Sequence, residues 1–338
     1  MTLIEVGYPD TLKILRETHS IWSAGLSASD YYRYHDLQRN NPWGQRHIKV
    51  LAVTAGDGDI AASCRVYSIE MASRGRHYQF IGIGAMYARK AYRGQGYAGK
   101  LLDELNDRAQ KDGTAGLILF SDIGAAFYEQ FGFQELSSVD FSLELKNLPP
   151  LAEISYRSED LGLHHIDLLE RYRQRWQARR PFALVRDPLL WNYKISKEKY
   201  LHSFSAAGWP GLQILTVEGA YCIYEVGGRS LRILELVAAA GEEEKIWQAV
   251  FCHGAKLGVR RIRGWEGNLM ELAPAFNLPG LLAEGVDRVR NGPELAGPTG
   301  KMQYLERNWG RIMIHFIDPS IEHWAWQFPC PLTELDHL

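Results

Sequence analysis

The sequence predicts a mixed α/β protein, and three observations carry that expectation. Short apolar runs of strand length alternate with longer amphipathic stretches of helical period along most of the 338 residues. Glycine turns separate neighbouring runs, as at Gly56, Asp57 and Gly58. The order three strands, helix, strand also occurs twice, once on each side of Pro149 and Pro150.

Residues 1–50 read as helices, with Ser27 to Asp30 as a cap before YYRYHDLQ. IKVLAVTA and IAASCRVYSIEM then form a hairpin, and FIGIGAMYA completes a three-strand meander. A basic turn, RKAYRGQGYAG, leads into the amphipathic KLLDELNDRAQKDG and a further strand, LILF. SDIGAAFYEQFGF reads as a helix bearing Tyr128, and a last strand near Val139 to Leu145 completes a domain spanning 1–150.

The segment 151–338 reads as a second domain with a C-terminal tail. HHIDLLERYRQRWQAR is helix-like, LQILTVEG, AYCIYEVGG and SLRILELVAAA read as a meander, and GEEEKIWQAVFCHGAKLG as a helix before the strand-like RRIRGWEG. Nothing glycine-rich joins strand to helix here, so this half repeats the first without a phosphate-type loop.

Composition excludes several classes. With 46% hydrophobic residues and a net charge of −2, the chain has the balance of an ordinary soluble protein and no global attraction for nucleic acid. No run approaches the ~20 apolar residues of a membrane span, and MTLIEVGYPDTLK lacks the parts of a signal peptide, which points to a cytoplasmic protein. Cys64, Cys222, Cys252 and Cys330 are scattered without a C-x-x-C, so neither a zinc site nor a disulfide framework is expected. Trp324 and Trp326 could pack within the chain or across a homo-oligomer.

The chemistry concentrates between Phe80 and Phe133. Gly94, Gly96 and Gly99 would let main-chain N–H groups approach an anion, and a helix starting there adds its positive end. The same residues fit three templates. G-x-x-x-x-G-K at Gly94, Gly99 and Lys100 wants Ser or Thr next, to carry magnesium, but Leu101 follows. G-x-G-x-x-G, with Asp122 about twenty residues on as a ribose ligand, suggests a dinucleotide such as NAD. In that fold the strand runs straight into the first glycine, whereas Arg89, Lys90 and Arg93 intervene here. The third template is R-x-x-G-x-A at Arg93, Gly96 and Ala98.

On the third template, YARKAYRGQGYAGKLL resembles the strand end, basic turn and pyrophosphate loop of the GNAT superfamily of acyl-CoA-dependent N-acetyltransferases. FYEQFGF is similar to that family's aromatic-Tyr-x-x-x-Gly-Phe segment, and Lys90 stands where a proline is commoner. The resemblance implies a GNAT fold over 1–150, with acetyl-CoA as cosubstrate. It implies Arg93, Gly94, Gln95, Gly96, Tyr97 and Ala98 as the pyrophosphate loop, Met86 and Ala88 as main-chain contacts to the pantetheine arm, and Tyr128 as the acid for the departing thiolate. A tyrosine suits that task on its own chemistry, because its reference pKa of ~10 lies just above that of a thiol.

In the second half, Arg180, Pro181, Arg186, Trp191, Gly219, Tyr221, Glu235 and Trp247 form a series similar to the second domain of the enhanced intracellular survival acetyltransferases. Those proteins pair an active GNAT domain with a degenerate one and add a sterol-carrier-like domain, for which the chain after Arg290 is too short. In that group the terminal carboxylate lies at the active site, which makes Leu338 a candidate base, with Asp122, Glu235 and His337 as alternatives. SDIGAAFYEQFGF is also similar to the fungal lysine N-acetyltransferase family.

The expected activity is direct acetyl transfer to a primary amine, of a small molecule or of a protein lysine. An NAD-type oxidoreductase and a noncatalytic acyl-CoA sensor are the other readings. The substrate pocket is expected between the halves, with Tyr31, Tyr32, His35 and Trp43 on its rim.

Overall fold

The structure, a computed structural model, describes residues 3–136, 139–146, 154–204, 211–269, 295–297, 300–307, 309–321, 330 and 332–337. The expected boundary at Pro149 and Pro150, Trp324, Trp326 and Leu338 lie outside the described residues.

A short strand β1 (Leu3–Glu5) precedes three helices, α1 (Tyr8–Trp22), α2 (Ala28–Asn40) and α3 (Pro42–His47). Ser27 caps α2 as expected, its hydroxyl accepting from the Asp30 N–H at 3.2 Å. Asn41 caps α3 in the same way, ahead of Pro42. The meander follows as β2 (Ile48–Thr54), β3 (Ile60–Ser73) and β4 (Arg76–Ala88), and Gly58 takes φ +86° in the first turn. Next come α4 (Tyr97–Lys111), β5 (Gly116–Ser121), the single turn α5 (Ala126–Glu129), and the short β6 (Gln134–Glu135).

After β7 (Val139–Glu144) and the exposed edge strand β8 (Arg157–Asp160), α6 (Ile166–Gln177), β9 (Ala183–Leu184) and α7 (Pro188–His202) lead to the second meander. That meander is β10 (Gln213–Val217), β11 (Ala220–Gly227) and β12 (Ser230–Ala238), followed by α8 (Glu243–Lys256) and β13 (Arg261–Trp265). β14 (Leu295–Gly297), β15 (Gly300–Glu306) and β16 (Arg311–Phe316) close the series.

The strands form two mixed sheets. The first runs β1-β2-β3-β4-β5-β16-β6, with β9 added against β3. The second runs β14-β15-β7-β13-β12-β11-β10-β8. In each, one parallel pair is bridged by a helix: β4 with β5 through α4, and β12 with β13 through α8. The other pairs are antiparallel, so neither sheet is the parallel, doubly wound type of a dinucleotide fold.

The two sheets exchange strands. β7 forms where expected, but the expectation that it completes the first sheet is corrected: it pairs with β13, Phe141 opposite Gly264. The equivalent place beside β5 is taken by β16, Ile314 opposite Ile118. Alternation along β16 serves both faces of its adopted sheet. Met313 joins the core under α4 with Leu101, Leu105, Leu119 and Phe133, while Ile312 and Ile314 join the layer between the halves with Phe80, Phe182, Tyr193 and Trp265. Trp247 and Phe251 of α8 fill one face of the second sheet, and Trp176 and Trp191 of α6 and α7 the other. Among the described residues, no helix is long and apolar enough to cross a membrane.

Candidate active site

The parallel pairing of β4 with β5 ends at Ile83 opposite Leu119. Beyond that point β4 stays with β3 alone, and a bulge sets Ala85 and Met86 against Cys64, with Ala85 at φ +49°. The two strands therefore part, leaving one edge of β4 open as a wedge. Arg89 donates its N–H to Ala61 at 3.0 Å, so the main chain of Ala88, in the intervening non-bonded pair with Ala62, faces away from β3 into the wedge. The same alternation turns the main chain of Met86 to that edge. The Ala88 carbonyl accepts from Arg93 Nε at 3.1 Å.

At the mouth of the wedge the chain turns through Gly94 (φ +75°) and Gly96 (φ +79°) into α4. A Cβ at either glycine would meet nothing within 4 Å, so the loop is an open cradle. Gly96 caps α4 without a side chain, and the first helical bond is Lys100 N–H to the Gly96 carbonyl. The N–H groups of Tyr97, Ala98 and Gly99 thus precede the helical ladder, and the helix dipole adds partial positive charge there. Gly99 serves a different purpose from the one expected, since a Cβ there would stand 2.7 Å from the Phe131 ring. Its absence lets α4 lie on the aromatic segment, which sets the loop against Tyr128.

Around the loop, Arg93, Lys90, Gln95 and Lys100 are exposed, and Tyr97 packs edge-on against Tyr92. Arg89 is not part of this cationic rim. It is held by Glu17 at 2.8 Å, and Glu17 also accepts from the Tyr87 hydroxyl.

Tyr128 sits in α5, 6% exposed, packed between Phe127 and Phe133. Burial pushes its phenol up to about 12, with the charge of Asp122 and the neighbouring Cys64 acting in the same direction. Among the described residues its hydroxyl has no hydrogen-bond partner, and none contributes to its shift. The phenol therefore keeps its proton across the physiological range and has it free to donate.

A cavity of about 670 Å³ lies between the two halves; Asp122 lines it, while Tyr128 does not and feels only the charge of Asp122. First-half walls come from Trp22, Tyr31, His35, Arg65 and Ala85, and second-half walls from Glu198, Glu225, Arg232 and His337. Of the expected rim, Tyr31 and His35 line it. Tyr32 packs into the α1–α2 cluster instead, and Trp43 is buried against Tyr193 at 4.8 Å. His35 accepts from Arg65, and burial together with that cation pushes its pKa down to about 2, so it is neutral.

The alternative bases have other occupations. Glu235 is fully buried, contacted by Arg173 at 2.8 Å, Arg186 at 2.7 Å and the Tyr221 hydroxyl at 2.6 Å, and it does not line the cavity. Asp122 accepts from the Gly310 N–H at 2.9 Å, which engages the carboxylate that a dinucleotide reading would give to a ribose. His337 lines the cavity beside Phe120 but is held neutral by burial, and its carbonyl accepts from Lys194 and Lys197. The cavity residues of α7 were missed in the sequence. The sequence of α7 mixes apolar and charged residues without a clean polar face, so inward-turned charge left no local signal.

The geometry and the comparisons agree on the class. Residues 12–136 match the acetyltransferase (GNAT) domain model. No curated protein sequence matches the chain. Among solved structures, a probable N-acyltransferase from Enterococcus faecalis V583 is 13% identical, with a TM-score of 0.65 over 95% of this chain and 73% of its own. A GCN5-related N-acetyltransferase from Kribbella flavida is 17% identical, with a TM-score of 0.64 over 95% of this chain and 72% of its own. Eis1 from Mycobacterium abscessus is 15% identical, with a TM-score of 0.53 over 78% and 65%. The chain carries a GNAT acetyltransferase domain over residues 12–136, and its fold as a whole is that of these larger GNAT proteins.

Proposed function

We propose that the protein is an N-acyltransferase that moves an acetyl group from acetyl-CoA directly to a primary amine of a small molecule, in the cytoplasm. The observation that carries this reading is the continuity of three parts. A helix N-terminus without a side-chain cap, behind two open glycines, lies at the mouth of the wedge, the wedge is lined by main chain, and Asp122, whose charge acts on Tyr128, lines the cavity.

In this reading acetyl-CoA supplies an activated acyl group as a thioester. The amides of Gly94 to Ala98 hold its pyrophosphate, Arg93 and Lys90 lie close enough in sequence to add charge, and the Met86 and Ala88 main chain pairs with the pantetheine arm. Tyr128 gives its proton to the departing sulfur and the proton shed by the acceptor nitrogen restores the phenol; the raised pKa keeps the phenol protonated between turnovers and makes the transfer to sulfur less evenly balanced than for a free tyrosine. The acceptor enters from the cavity, whose size suits a small molecule.

Isothermal titration with acetyl-CoA, NAD and ATP in parallel tests the reading, with Gly96→Glu as control. Binding of acetyl-CoA that the control loses, with release of free thiol on adding an amine, is the expected result. Binding of NAD in its place would overturn the assignment and the role of Tyr128 together.

A further inference from the structure

The four cysteines of the chain are scattered, but a different set of metal-ligating side chains meets on the second half. Glu159 lies on β8, and His164 and His165 belong to the single 3-10 turn Leu163–His165 that leads into α6. One ligand atom from each, two ring nitrogens and a carboxylate oxygen, falls within 4.8 Å of the other two. None of the three lines the cavity between the halves.

The chain brings them together by local means. Glu159 stands opposite Ile214 of β10, so its side chain leaves the sheet on the face that Ile214 shares with Leu169 and Trp176 of α6. Gly162 lets the His164 ring fold back, since a Cβ there would stand 2.7 Å from two atoms of that ring. The two imidazoles then lie with their centres 3.9 Å apart. His165 is only 6% exposed, and its Nδ1 accepts from the Gly162 N–H at 3.0 Å. Its Nε2 is turned towards the carboxylate, 3.3 Å from Glu159 Oε1, yet it is buried and makes no hydrogen bond among the described residues. A buried ring nitrogen that has lost water without gaining a hydrogen bond is costly, and here it is aimed at a histidine and a carboxylate.

We propose that Glu159, His164 and His165 bind one divalent transition-metal ion, zinc being the one that two imidazoles and a carboxylate suit best, with water in the fourth position. Metal–ligand bonds of about 2.0–2.2 Å require the three atoms to draw closer than they stand, and Glu159 and His164 are exposed and free to rotate inward. In the loaded site His165 Nδ1 carries the proton and donates it to the Gly162 carbonyl, 3.3 Å away, which is how metal-bound histidines commonly hold their second nitrogen. The Gly162 N–H contact is given up, a cost of one hydrogen bond that is small beside metal binding. The ion pins the edge strand β8 to the start of α6. Lys199 of α7 donates to the Leu161 carbonyl at 2.9 Å within the same loop, so the ion also steadies the seat of a helix that walls the cavity. The site stands apart from the acyl-transfer reading.

Titration of the full chain, free of any histidine tag and stripped with a chelator, with zinc chloride against a chromogenic competitor tests this. One equivalent is expected to bind with Kd below about 10 µM and to raise the unfolding temperature. Glu159→Gln and His164→Gln, both at exposed positions, should each weaken binding about tenfold or more and lose the zinc-dependent rise. Melting curves without metal establish that the variants are folded. In the native protein, zinc should also protect His164 from diethyl pyrocarbonate, read by mass spectrometry, which locates the ion without any variant. Binding weaker than about 10 µM overturns the proposal. So does tight binding that either variant retains, or a His164 that zinc leaves fully reactive.

Discussion

The carboxylate of Asp122 accepts the main-chain N–H of Gly310 at 2.9 Å, across 188 residues of chain. It ties the end of β5 to the start of β16, the strand from the far end of the sequence that lies beside it. Removing the acceptor leaves a buried N–H unpaired. Asp122→Ala is expected to lower stability by about 1–3 kcal/mol, read as a shift of the denaturant midpoint.

Gly96 and Gly99 are expected to fail in different ways. At Gly99 even a methyl group collides with the Phe131 ring, so Gly99→Ala should destabilise the fold by about 1–3 kcal/mol. At Gly96 there is room but φ is +79°, so Gly96→Ala adds only modest backbone strain, on the order of 1 kcal/mol. Paired melting curves for the two variants should separate packing from conformational strain.

Tyr128→Phe removes a proton donor and little else, because the ring is held by Phe127 and Phe133. If Tyr128 supplies the proton, kcat should fall by roughly 10²–10⁴ while acetyl-CoA affinity stays near the native value. With the phenol pushed up to about 12, the native enzyme should show no loss of kcat from this group below pH 10. Unaltered turnover in the phenylalanine variant would sink the assignment.

Glu235 sits between Arg173 and Arg186, which also share Asp336. Deleting it strands two buried guanidinium groups on a single carboxylate. Glu235→Ala is expected to cost about 3–5 kcal/mol and to yield an insoluble or markedly less stable protein. A variant of native stability would show that the buried charges find compensation elsewhere.

Glu266 supplies a pH dependence of definite sign. Burial pushes its carboxyl up from 4.5 to about 7 in the folded chain, against the pull of Arg307 and the Val139 N–H. The folded state holds the proton more tightly than the unfolded one, so the contribution is fully present below pH 4.5 and declines as pH rises towards 7. The decline amounts to roughly 3 kcal/mol. Urea titrations across that range should show this slope in the native protein and lose it in Glu266→Gln.

The parts legible in the sequence are those with local causes. The turn at Gly56, Asp57 and Gly58, the Ser27 cap and the glycines before α4 act over a few residues, and all form as expected. Strand partnership is different. VDFSLE alternates in the same way whether it lies beside β5 or β13, so nothing local shows that β7 leaves its own half. The cavity was half legible for the same reason. Tyr31 and His35 stand on a helix next to the loop domain, while Glu198 reaches the site only because α7 packs against α2 and α3, a contact between segments more than a hundred residues apart. Trp43 was misplaced because a tryptophan near a site looks the same in sequence whether it lines a cavity or fills a core.

The strand exchange also bears on how the molecule is made. While the chain emerges from the ribosome, β5 has no neighbour on its outer side until residues 311–316 arrive, although every other part of the loop-bearing sheet's parallel pair has long been synthesised. The apolar edge of β5, Gly116 to Ser121, must wait through the production of nearly all the second sheet. A ribosome stalled midway would thus release a cofactor loop without the strand that steadies the wedge behind it, with an unpaired edge open to other chains.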